Sequence, residues 1–202
     1  MTKKIIEKKY IKTLILVRHG EDLKNPERLT QQGRKQARLT ANYLKHLSDS
    51  QLFSSSAKRS KWSMEYIEKA LKKKAKYLKL FESLLPAPNW LYKHDFDFKS
   101  MNKRDREQLR QFIKQSEDRA VRAFELLAQL PKKENETFII MAHGNIIRFW
   151  VCCALKISNK KWIQMRSPHC SITKIEIHTD GTRLLTEFAS VGHLPIGLSS
   201  DT

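Results

Sequence analysis

The stretch LILVRHGE, residues 14–21, runs from four apolar residues into an arginine, a histidine and a glycine. This pattern predicts a buried β-strand whose carboxyl end presents Arg18 and His19 to a pocket. A second stretch, FIIMAHGN at residues 138–145, repeats the arrangement and delivers His143. Because ligands of open α/β sheets bind beyond the carboxyl ends of the strands, we expect the two imidazoles to face each other across one site.

Length and composition indicate one enzyme-sized domain. The chain has 202 residues, of which 40% are hydrophobic, enough to bury a single core. Helical and strand-like segments alternate, which favours an α/β fold. We assign residues 1–12 to a basic N-terminal segment and residues 13–202 to a single domain. No apolar run approaches the roughly 18–20 residues that span a bilayer, and the N-terminus lacks secretory features, so we expect a soluble cytoplasmic protein.

The formal charge of +18 favours anionic ligands without identifying one. A basic surface steers anions electrostatically, and it also suits nucleic acid. The lysines lie in scattered runs, with no helix-turn-helix, zinc-finger or aromatic–basic RNA signature beside them. Nucleic acid is therefore not the expected partner.

The cysteines do not form a disulfide framework. Their number is odd, Cys152 and Cys153 are adjacent, and Cys170 makes no CxxC spacing with either. Free cysteine is often buried in folded proteins. We therefore expect reduced, buried thiols and no zinc site among them.

Periodicity along the chain predicts alternating strands and helices. The predicted strands cover residues 13–18, 52–54, 77–80, 138–142, 171–177 and 184–189, the last two joined by a turn at residues 180–181. The predicted helices cover about residues 31–47, 57–74, 105–130 and 145–155, the first with Thr30 as its N-cap. Residues 84–100 contain two prolines and are predicted to form a loop or lid.

Two facing histidines beside an arginine fit one of two chemistries. Imidazoles bind metals, but a metal site needs further ligands at a recognisable spacing, and neither histidine lies in an HxH or HExxH pattern. In phosphoryl transfer, a neutral imidazole attacks phosphorus while the planar fork of an arginine binds the phosphate oxygens. The glycine after each histidine would let the backbone approach the anion, and a helix starting near Asn145 would direct its N-terminal amides at it. The pattern favours phosphoryl chemistry over a metal.

Four motifs, in order, resemble those of the histidine phosphatase superfamily, which includes the phosphoglycerate mutases. They are Arg-His-Gly at residues 18–20, LTQQGRKQA at 29–37, SSAKR at 55–59 and His-Gly at 143–144. The resemblance runs from about Leu14 to Gly197. It implies a phosphoglycerate mutase-like α/β fold, a three-layer α/β/α sandwich around a mostly parallel central sheet.

Within the superfamily, the C-terminal half is similar to a branch of serine/threonine protein phosphatases that has a mitochondrial member and bacterial counterparts. The similarity lies in HGNIIR at residues 143–148, then Cys152 and Trp162, and then CSIT at residues 170–173. The chain departs from that mitochondrial relative by having Gly20 in place of a serine. We expect neither its transmembrane anchor nor its tryptophan- and aspartate-rich assembly segment, and a homodimer is left open.

The resemblance implies a role for each motif residue. His19 would be the nucleophile and become a phosphohistidine. Glu82, just after the third strand, would protonate the leaving oxygen and then activate water. The residues expected to bind the phosphoryl oxygens are Arg18, Arg59, His143, Gly144 and Asn145, with His143 donating a hydrogen bond. No metal or other cofactor is implied, because arginines and histidines neutralise the phosphate.

Other polar and aromatic residues compete for roles or have structural ones. Glu21, Asp22 and Glu65 are rival carboxylates, with Glu65 expected on a solvated helix face. Arg148 is expected to support the phosphate pocket without touching substrate, and His193 to be structural. The histidines without a motif, expected at the surface, are His46, His94 and His178. The lid residues left open between substrate contact and core packing are Trp90 and Tyr92.

The expected substrate is a phosphate ester, and the sequence favours one class of ester while leaving others open. Two acids after the first histidine, Glu21 and Asp22, would repel a small anionic substrate, which favours a phosphatase over a mutase. The C-terminal likeness favours phosphoserine and phosphothreonine proteins. The alternatives are a small phosphate ester, a phosphohistidine, or a catalytically weak phosphopeptide-binding module.

Overall fold

The computed structural model describes residues 10–24, 27–84 and 101–200. The strands are β1 (Ile11–Arg18), β2 (Asp22–Lys24), β3 (Glu27–Leu29), β4 (Gln51–Ser55), β5 (Lys76–Leu78), β6 (Glu136–Ala142), β7 (Ile172–His178) and β8 (Arg183–Ser190). The helices are α1 (Gln31–Leu44), α2 (Lys58–Leu71), α3 (Lys103–Leu127) and α4 (Gly144–Leu155). Two 3₁₀ segments cover Lys79–Phe81 and Asn159–Gln164.

Six of the strands form one sheet, in the order β5-β4-β6-β1-β7-β8, and β2 pairs with β3 apart from it. The pairs β5/β4, β4/β6 and β6/β1 are parallel, whereas β1/β7 and β7/β8 are antiparallel. The predicted mostly parallel sheet is therefore confirmed. The two histidine-bearing strands, β1 and β6, are neighbours at its centre.

Alternation along β1 divides the core into two layers. Leu14 and Leu16 face the side where α3 and α4 pack, together with Trp150. Ile15 and Val17 face the opposite side, against residues of α1 and α2. Successive side chains of a strand point to opposite faces, so one apolar run supplies both layers. The three-layer α/β/α sandwich is confirmed.

The predicted elements are present, but several of their ends differ. β1 begins at Ile11, because Lys12 pairs with Glu136 of β6 and forms an ion pair with it at 3.5 Å. The basic N-terminal segment predicted over residues 1–12 therefore overlaps the sheet. The third predicted strand stops at Leu78 and turns into a 3₁₀ segment that buries the ring of Phe81.

The predicted N-cap of α1 and the predicted turn between β7 and β8 are present. The hydroxyl of Thr30 accepts a hydrogen bond from the Gly33 N–H at 2.8 Å, as its predicted N-cap role requires. Gly181, in the turn between β7 and β8, has φ +82°, a conformation that favours glycine. Most of the predicted loop over residues 84–100 lies outside the described residues. Among the described helices, none is long and apolar enough to cross a membrane.

Candidate active site

The parallel pairing of β1 and β6 brings the two histidines together. Arg18 lies in register with Ala142, and the N–H of His19 donates to the Ala142 carbonyl at 3.0 Å. His19 and His143 therefore leave the sheet side by side, with ring centroids 5.1 Å apart. Both are buried, exposed over only 5% and 2% of their surface. The predicted pair of facing imidazoles is present.

The hydrogen bonds of His19 determine its tautomer. Its Nδ1 lies 2.8 Å from the carbonyl oxygen of Gly20, which can only accept, so Nδ1 carries the proton and Nε2 the lone pair. Burial lowers the pKa of His19 well below its usual 6.5, and His143, Arg18 and Arg59 lower it further. A neutral imidazole with a lone pair on Nε2 is a nucleophile.

Arg18 is held by the turn that precedes β7, residues 167–171. Its Nη1 donates to the Ser167 carbonyl at 2.5 Å, and its Nη2 lies 2.8 Å from Nε2 of His169. A Cβ on Gly144 would lie 3.3 Å from Cδ of Arg18. The guanidinium plane is therefore fixed on the protein side before any anion arrives.

His143 is bonded on both ring nitrogens. Nε of Arg59 donates to Nδ1 of His143 at 3.2 Å, so the ring proton is on Nε2, which lies 2.9 Å from the hydroxyl of Ser55. Burial, followed by Arg59 and Arg18, lowers the pKa of His143 well below 6.5. The expected hydrogen bond from His143 to a phosphoryl oxygen therefore needs an exchange of partners, because its only N–H faces Ser55.

The glycines that follow the histidines make room for protein groups. A Cβ on Gly20 would lie 2.5 Å from the carbonyl oxygen of Gly33, and one on Gly33 would lie 2.0 Å from that of Glu21. Gly20 thus lets the first turn of α1 lie against the backbone next to His19. Gly144 leaves space for Arg18. Both glycines are needed for packing inside the protein, and the approach of their backbone to an anion stays a prediction.

The N-terminus of α4 lies at the same edge of the sheet. His143 is its N-cap residue, and the imidazole makes no capping hydrogen bond to the first amides of the helix. The side chain of Asn145 is engaged elsewhere: its Oδ1 accepts from Nη2 of Arg148 at 2.5 Å, and its Nδ2 lies 3.4 Å from the Leu84 carbonyl. Arg148 also donates to the Gly144 carbonyl at 3.1 Å, which places it behind the site as expected.

Glu82 follows the 3₁₀ segment after β5 and is half-buried. The hydroxyl of Ser56 donates to its Oε1 at 2.6 Å, and the preceding residue, Ser55, contacts His143. The backbone around Glu82 is held by Arg119 of α3, which donates to the carbonyls of Glu82 at 2.7 Å and of Ser83 at 2.8 Å. The Glu82 carboxylate and the second histidine are thus held by the hydroxyls of two adjacent serines.

The rival carboxylates occupy other positions. Oδ1 of Asp22 lies 3.5 Å from Nδ1 of His19, the nitrogen opposite the nucleophilic Nε2, and its Oδ2 lies 3.9 Å from Nη1 of Arg59. Glu21 accepts a hydrogen bond from Thr30 at 2.8 Å. Burial opposes ionisation of Glu21, but hydrogen bonds from Ser200 and Thr30 lower its pKa below 4.5. Glu65 is exposed, as predicted.

One group of ligand-type side chains lies within the site. His19, Asp22 and His169 offer ligand atoms within 4.8 Å of one another. A cation there would lie beside two guanidinium groups, because Arg18 already contacts Nε2 of His169 and Arg59 lies near Asp22. Repulsion between like charges disfavours a cation at this position.

Sequence reasoning missed His169 and Arg119. His169 is 1% exposed, and its ring centroid lies 5.5 Å from that of His19. Because β7 is antiparallel to β1, the residues before β7 reach the same edge as the carboxyl end of β1. An antiparallel assignment for that strand would have indicated His169. Arg119 lies on a long polar helix, and no sequence pattern marks it as a functional residue.

Three further histidines that the structure describes lie away from the histidine pair. His193 contacts the Thr40 hydroxyl at 2.9 Å and stacks on Tyr43, a structural role. His46 is exposed, whereas His178 is half-buried beside Glu176, against expectation. Three other predicted residues lie outside the described residues: His94, Trp90 and Tyr92.

The cysteines are free thiols, as predicted. Cys152 and Cys170 are buried, and Cys153 is half-buried. Burial raises the pKa of Cys170 to about 12, so this thiol stays protonated. A protonated buried thiol is a poor nucleophile.

Comparison with known proteins finds a phosphatase among the proteins with a similar sequence. The chain is 28% identical over 199 residues to the mitochondrial serine/threonine-protein phosphatase Pgam5 of Drosophila virilis, with 90% of this chain and 64% of that protein covered. It therefore spans less than two thirds of that relative.

Solved structures of phosphoglycerate mutase-like proteins share the fold. A phosphoglycerate mutase from Plasmodium falciparum superposes with a TM-score of 0.61 at 25% identity, covering 93% of this chain and 96% of that one. A phosphoserine phosphatase from Entamoeba histolytica superposes with a TM-score of 0.68 at 22% identity, covering 91% and 100%. The model of the histidine phosphatase superfamily (branch 1) matches residues 14–189, and the chain belongs to this family.

Proposed function

We propose that this protein is a metal-independent phosphomonoesterase that works through a phosphohistidine on His19. The observation that carries the proposal is the neutral His19 imidazole, whose Nδ1–H is fixed on the Gly20 carbonyl while Nε2 keeps its lone pair. Arg18 contributes positive charge beside this ring, and Arg59 contributes it through its contact with His143. A nucleophile among guanidinium groups suits attack on a phosphate ester.

In the first step, Nε2 of His19 forms a bond to phosphorus as the ester oxygen leaves. Arg18 and Arg59 bind the phosphoryl oxygens, with the N-terminal amides of α4 nearby. Glu82 gives its proton to the leaving oxygen, which departs as an alcohol. Arg59 exchanges its bond to His143 for one to the phosphoryl group, after which the His143 ring can carry its proton on Nδ1 and donate it to a phosphoryl oxygen, with Nε2 accepting from the Ser55 hydroxyl.

In the second step, the Glu82 carboxylate takes a proton from water as the water oxygen attacks the phosphohistidine. Inorganic phosphate leaves, and both His19 and Glu82 return to their starting states. Asp22, on the Nδ1 side of the His19 ring, stabilises the positive charge that the ring carries while it is phosphorylated. Two easier displacements thus replace one difficult hydrolysis.

We propose phosphoserine and phosphothreonine proteins as the substrates. The sequence likeness to a serine/threonine-protein phosphatase supports this class. A groove of about 590 Å³ between α1 and α2 supports it further, because Arg34, Lys35 and Arg38 line it together with uncharged residues. Leu198 borders the groove, two residues before Ser200, which contacts His169 at the site. An acidic segment flanking a phosphoresidue fits this groove by charge complementarity.

A small phosphate ester is the second candidate. The fold is shared with an Entamoeba histolytica phosphoserine phosphatase, whose named substrate is a small phosphoester. The test measures phosphate release in the presence of EDTA from a phosphothreonine peptide and from 3-phosphoglycerate, with His19→Ala as the blank. Peptide turnover that disappears in the variant supports the proposal. Turnover of 3-phosphoglycerate alone moves the function to small esters, and turnover that survives in His19→Ala contradicts the mechanism.

Substitutions that remove the positive charges of this groove test the substrate class separately. The triple variant R34Q/K35Q/R38Q should lower kcat/KM for a phosphopeptide with an acidic flank by up to about tenfold, since each exposed ion pair contributes modestly. Turnover of p-nitrophenyl phosphate should not change. The matched control K69Q/K72Q/K74Q neutralises lysines around a second groove of about 520 Å³ that also carries Glu65 and Glu68. Equal losses in the two triple variants would count against an acidic-segment groove.

A further inference from the structure

His169 is a buried histidine whose protonation is fixed by its neighbours. Its Nε2 lies 2.8 Å from Nη2 of Arg18, a group that can only donate, so Nε2 must accept. The proton is therefore on Nδ1, which lies 3.1 Å from the carbonyl of Ser200. The backbone N–H of His169 donates to the same carbonyl at 2.9 Å. The Ser200 carbonyl thus contacts both the backbone and the ring of His169 and helps to orient the ring that faces Arg18.

The turn that carries His169 is tied to the nucleophile's strand. The Cys170 N–H lies 3.1 Å from the Arg18 carbonyl and 3.3 Å from the His19 carbonyl. The Arg18 N–H donates in return to the Ser171 carbonyl at 3.2 Å. Cys170 has φ +56°, a left-handed conformation that is uncommon outside glycine. Side-chain and backbone contacts therefore fix this turn against the end of β1.

The C-terminal segment, residues 198–200, is fastened to α1. Nε2 of Gln36 donates to the Leu198 carbonyl at 2.8 Å and to the Ser200 hydroxyl at 3.0 Å. The Ser200 hydroxyl also lies 3.0 Å from Nδ1 of His169. A continuous line of contacts therefore leads from α1, through Ser200 and His169, to the guanidinium of Arg18.

We propose that His169 is a positioning residue for phosphate binding, which holds the Arg18 guanidinium and is itself held by Ser200. The inference deepens the proposed function and rests on it. A guanidinium has five N–H donors, so fixing it at two of them sets its plane while it can still donate to a phosphate. Fixing the plane in advance lowers the entropic cost of binding the anion. The C-terminal segment is in this way part of the phosphate site.

The test is a set of variants at position 169, read by calorimetric binding of inorganic phosphate and by kinetics with p-nitrophenyl phosphate. H169A should raise the Kd for phosphate about tenfold, as expected when a hydrogen bond to a charged group is lost. H169Q, whose amide oxygen replaces Nε2 as acceptor, should stay within about threefold of the unchanged chain. KM should rise with Kd, and kcat should change less. The reason is that the His169–Arg18 contact is expected to strengthen binding of the ground state and of the transition state alike.

The matched control is His178→Ala, which removes a half-buried histidine at the opposite end of β7 and should leave the Kd for phosphate unchanged. An unchanged Kd in H169A would overturn the proposal. So would a loss in H169Q equal to that in H169A, with melting temperature preserved, because packing would then be the cause. If H169A does not fold, H169L replaces it as the variant without an acceptor.

A double-mutant cycle tests the contact with Ser200. S200A should weaken phosphate binding about threefold in the unchanged chain and have no effect in H169A, because the two residues act along one line. Additive losses would contradict this line of contacts. Phosphate binding needs no turnover, so a chain that binds phosphate yet hydrolyses nothing would count against the proposed function and leave this test in force.

Discussion

The proposed nucleophile, His19, and the proposed general acid, Glu82, are held in different ways. His19 sits at the end of the eight-residue strand β1, and its N–H, its ring Nδ1 and its neighbour Gly20 are all bonded to fixed groups. Glu82 follows a three-residue strand and a 3₁₀ segment, and its carboxylate accepts from one serine. The sheet fixes His19, whereas side chains fix Glu82.

This difference separates two requirements of the reaction. Attack at phosphorus needs an accurate distance and direction, which a backbone in register with its neighbours supplies. Proton transfer needs a group within reach of the leaving oxygen and able to change its charge state, which a side-chain network on a loop can supply. We therefore expect substitutions on the sheet side and on the loop side to have distinct kinetic signatures.

Removal of the nucleophile should have the largest effect. We predict that His19→Ala lowers phosphate release by about 10⁴-fold or more, because the covalent route is lost. Binding of inorganic phosphate should persist, since Arg18 and Arg59 remain. Calorimetry on the same preparation checks this, and turnover equal to that of the unchanged chain would rule out the covalent route.

Neutralising Glu82 should slow the first step mainly for substrates whose leaving oxygen must be protonated. Glu82→Gln should lower kcat for a phosphothreonine peptide by about 10²–10⁴-fold, the usual contribution of general acid–base catalysis. Transfer to the enzyme from p-nitrophenyl phosphate should fall far less, because p-nitrophenolate leaves without a proton. The matched control is the exposed Glu65→Gln, and an equal loss with both substrates in the pre-steady-state rate of phosphoryl transfer to the enzyme would assign Glu82 a structural role.

Removing the hydrogen bonds that hold the backbone around Glu82 should lower kcat less than replacing Glu82 itself. Arg119→Ala removes the hydrogen bonds to the carbonyls of Leu80, Glu82 and Ser83, so the acid loses its support. We predict a fall in kcat of about tenfold for the peptide. The Kd for inorganic phosphate should not change. The exposed Arg122→Ala on the same helix is the control, and a matching loss there would show that the helix as a whole is responsible.

The last prediction concerns folding and not turnover: the free energy of unfolding should depend on pH. Burial lowers the pKa of His19 and of His143 well below 6.5, so below pH 6.5 the unfolded chain binds protons that the folded chain does not. The free energy of unfolding should therefore fall as pH decreases from 6.5, by about 1.4 kcal/mol per pH unit for each histidine. Urea unfolding between pH 5 and 6.5 measures this slope. His19→Ala should remove one histidine's share, and an unaltered slope would contradict the assignment.

Those parts of the site that depend on strand pattern could be predicted from the sequence. Two apolar runs ending in His-Gly predict adjacent parallel strands, and register places His19 beside His143 without further information. Thr30 is likewise a local signal, because the cap and the helix that it starts are neighbours in the chain. Short-range rules suffice for these features.

The rest depends on contacts between distant segments. His169 reaches Arg18 across a separation of 151 residues, and Arg119 reaches Glu82 across 37. Gly20 shows the same limit, because the sequence suggests room for a ligand while its space is taken by Gly33 of α1. In each case, the function of the residue depends on a partner that only the fold reveals.

The most direct test of the central claim is to detect the phosphorylated enzyme during turnover. The chain would be mixed rapidly with p-nitrophenyl phosphate, quenched at alkaline pH where phosphohistidine survives, and mapped by mass spectrometry. We predict one added phosphoryl group on His19, present before steady state and enriched in Glu82→Gln, whose slower second step lets it accumulate. Steady release of phosphate with no phosphoryl group on His19 in either protein would contradict the claim.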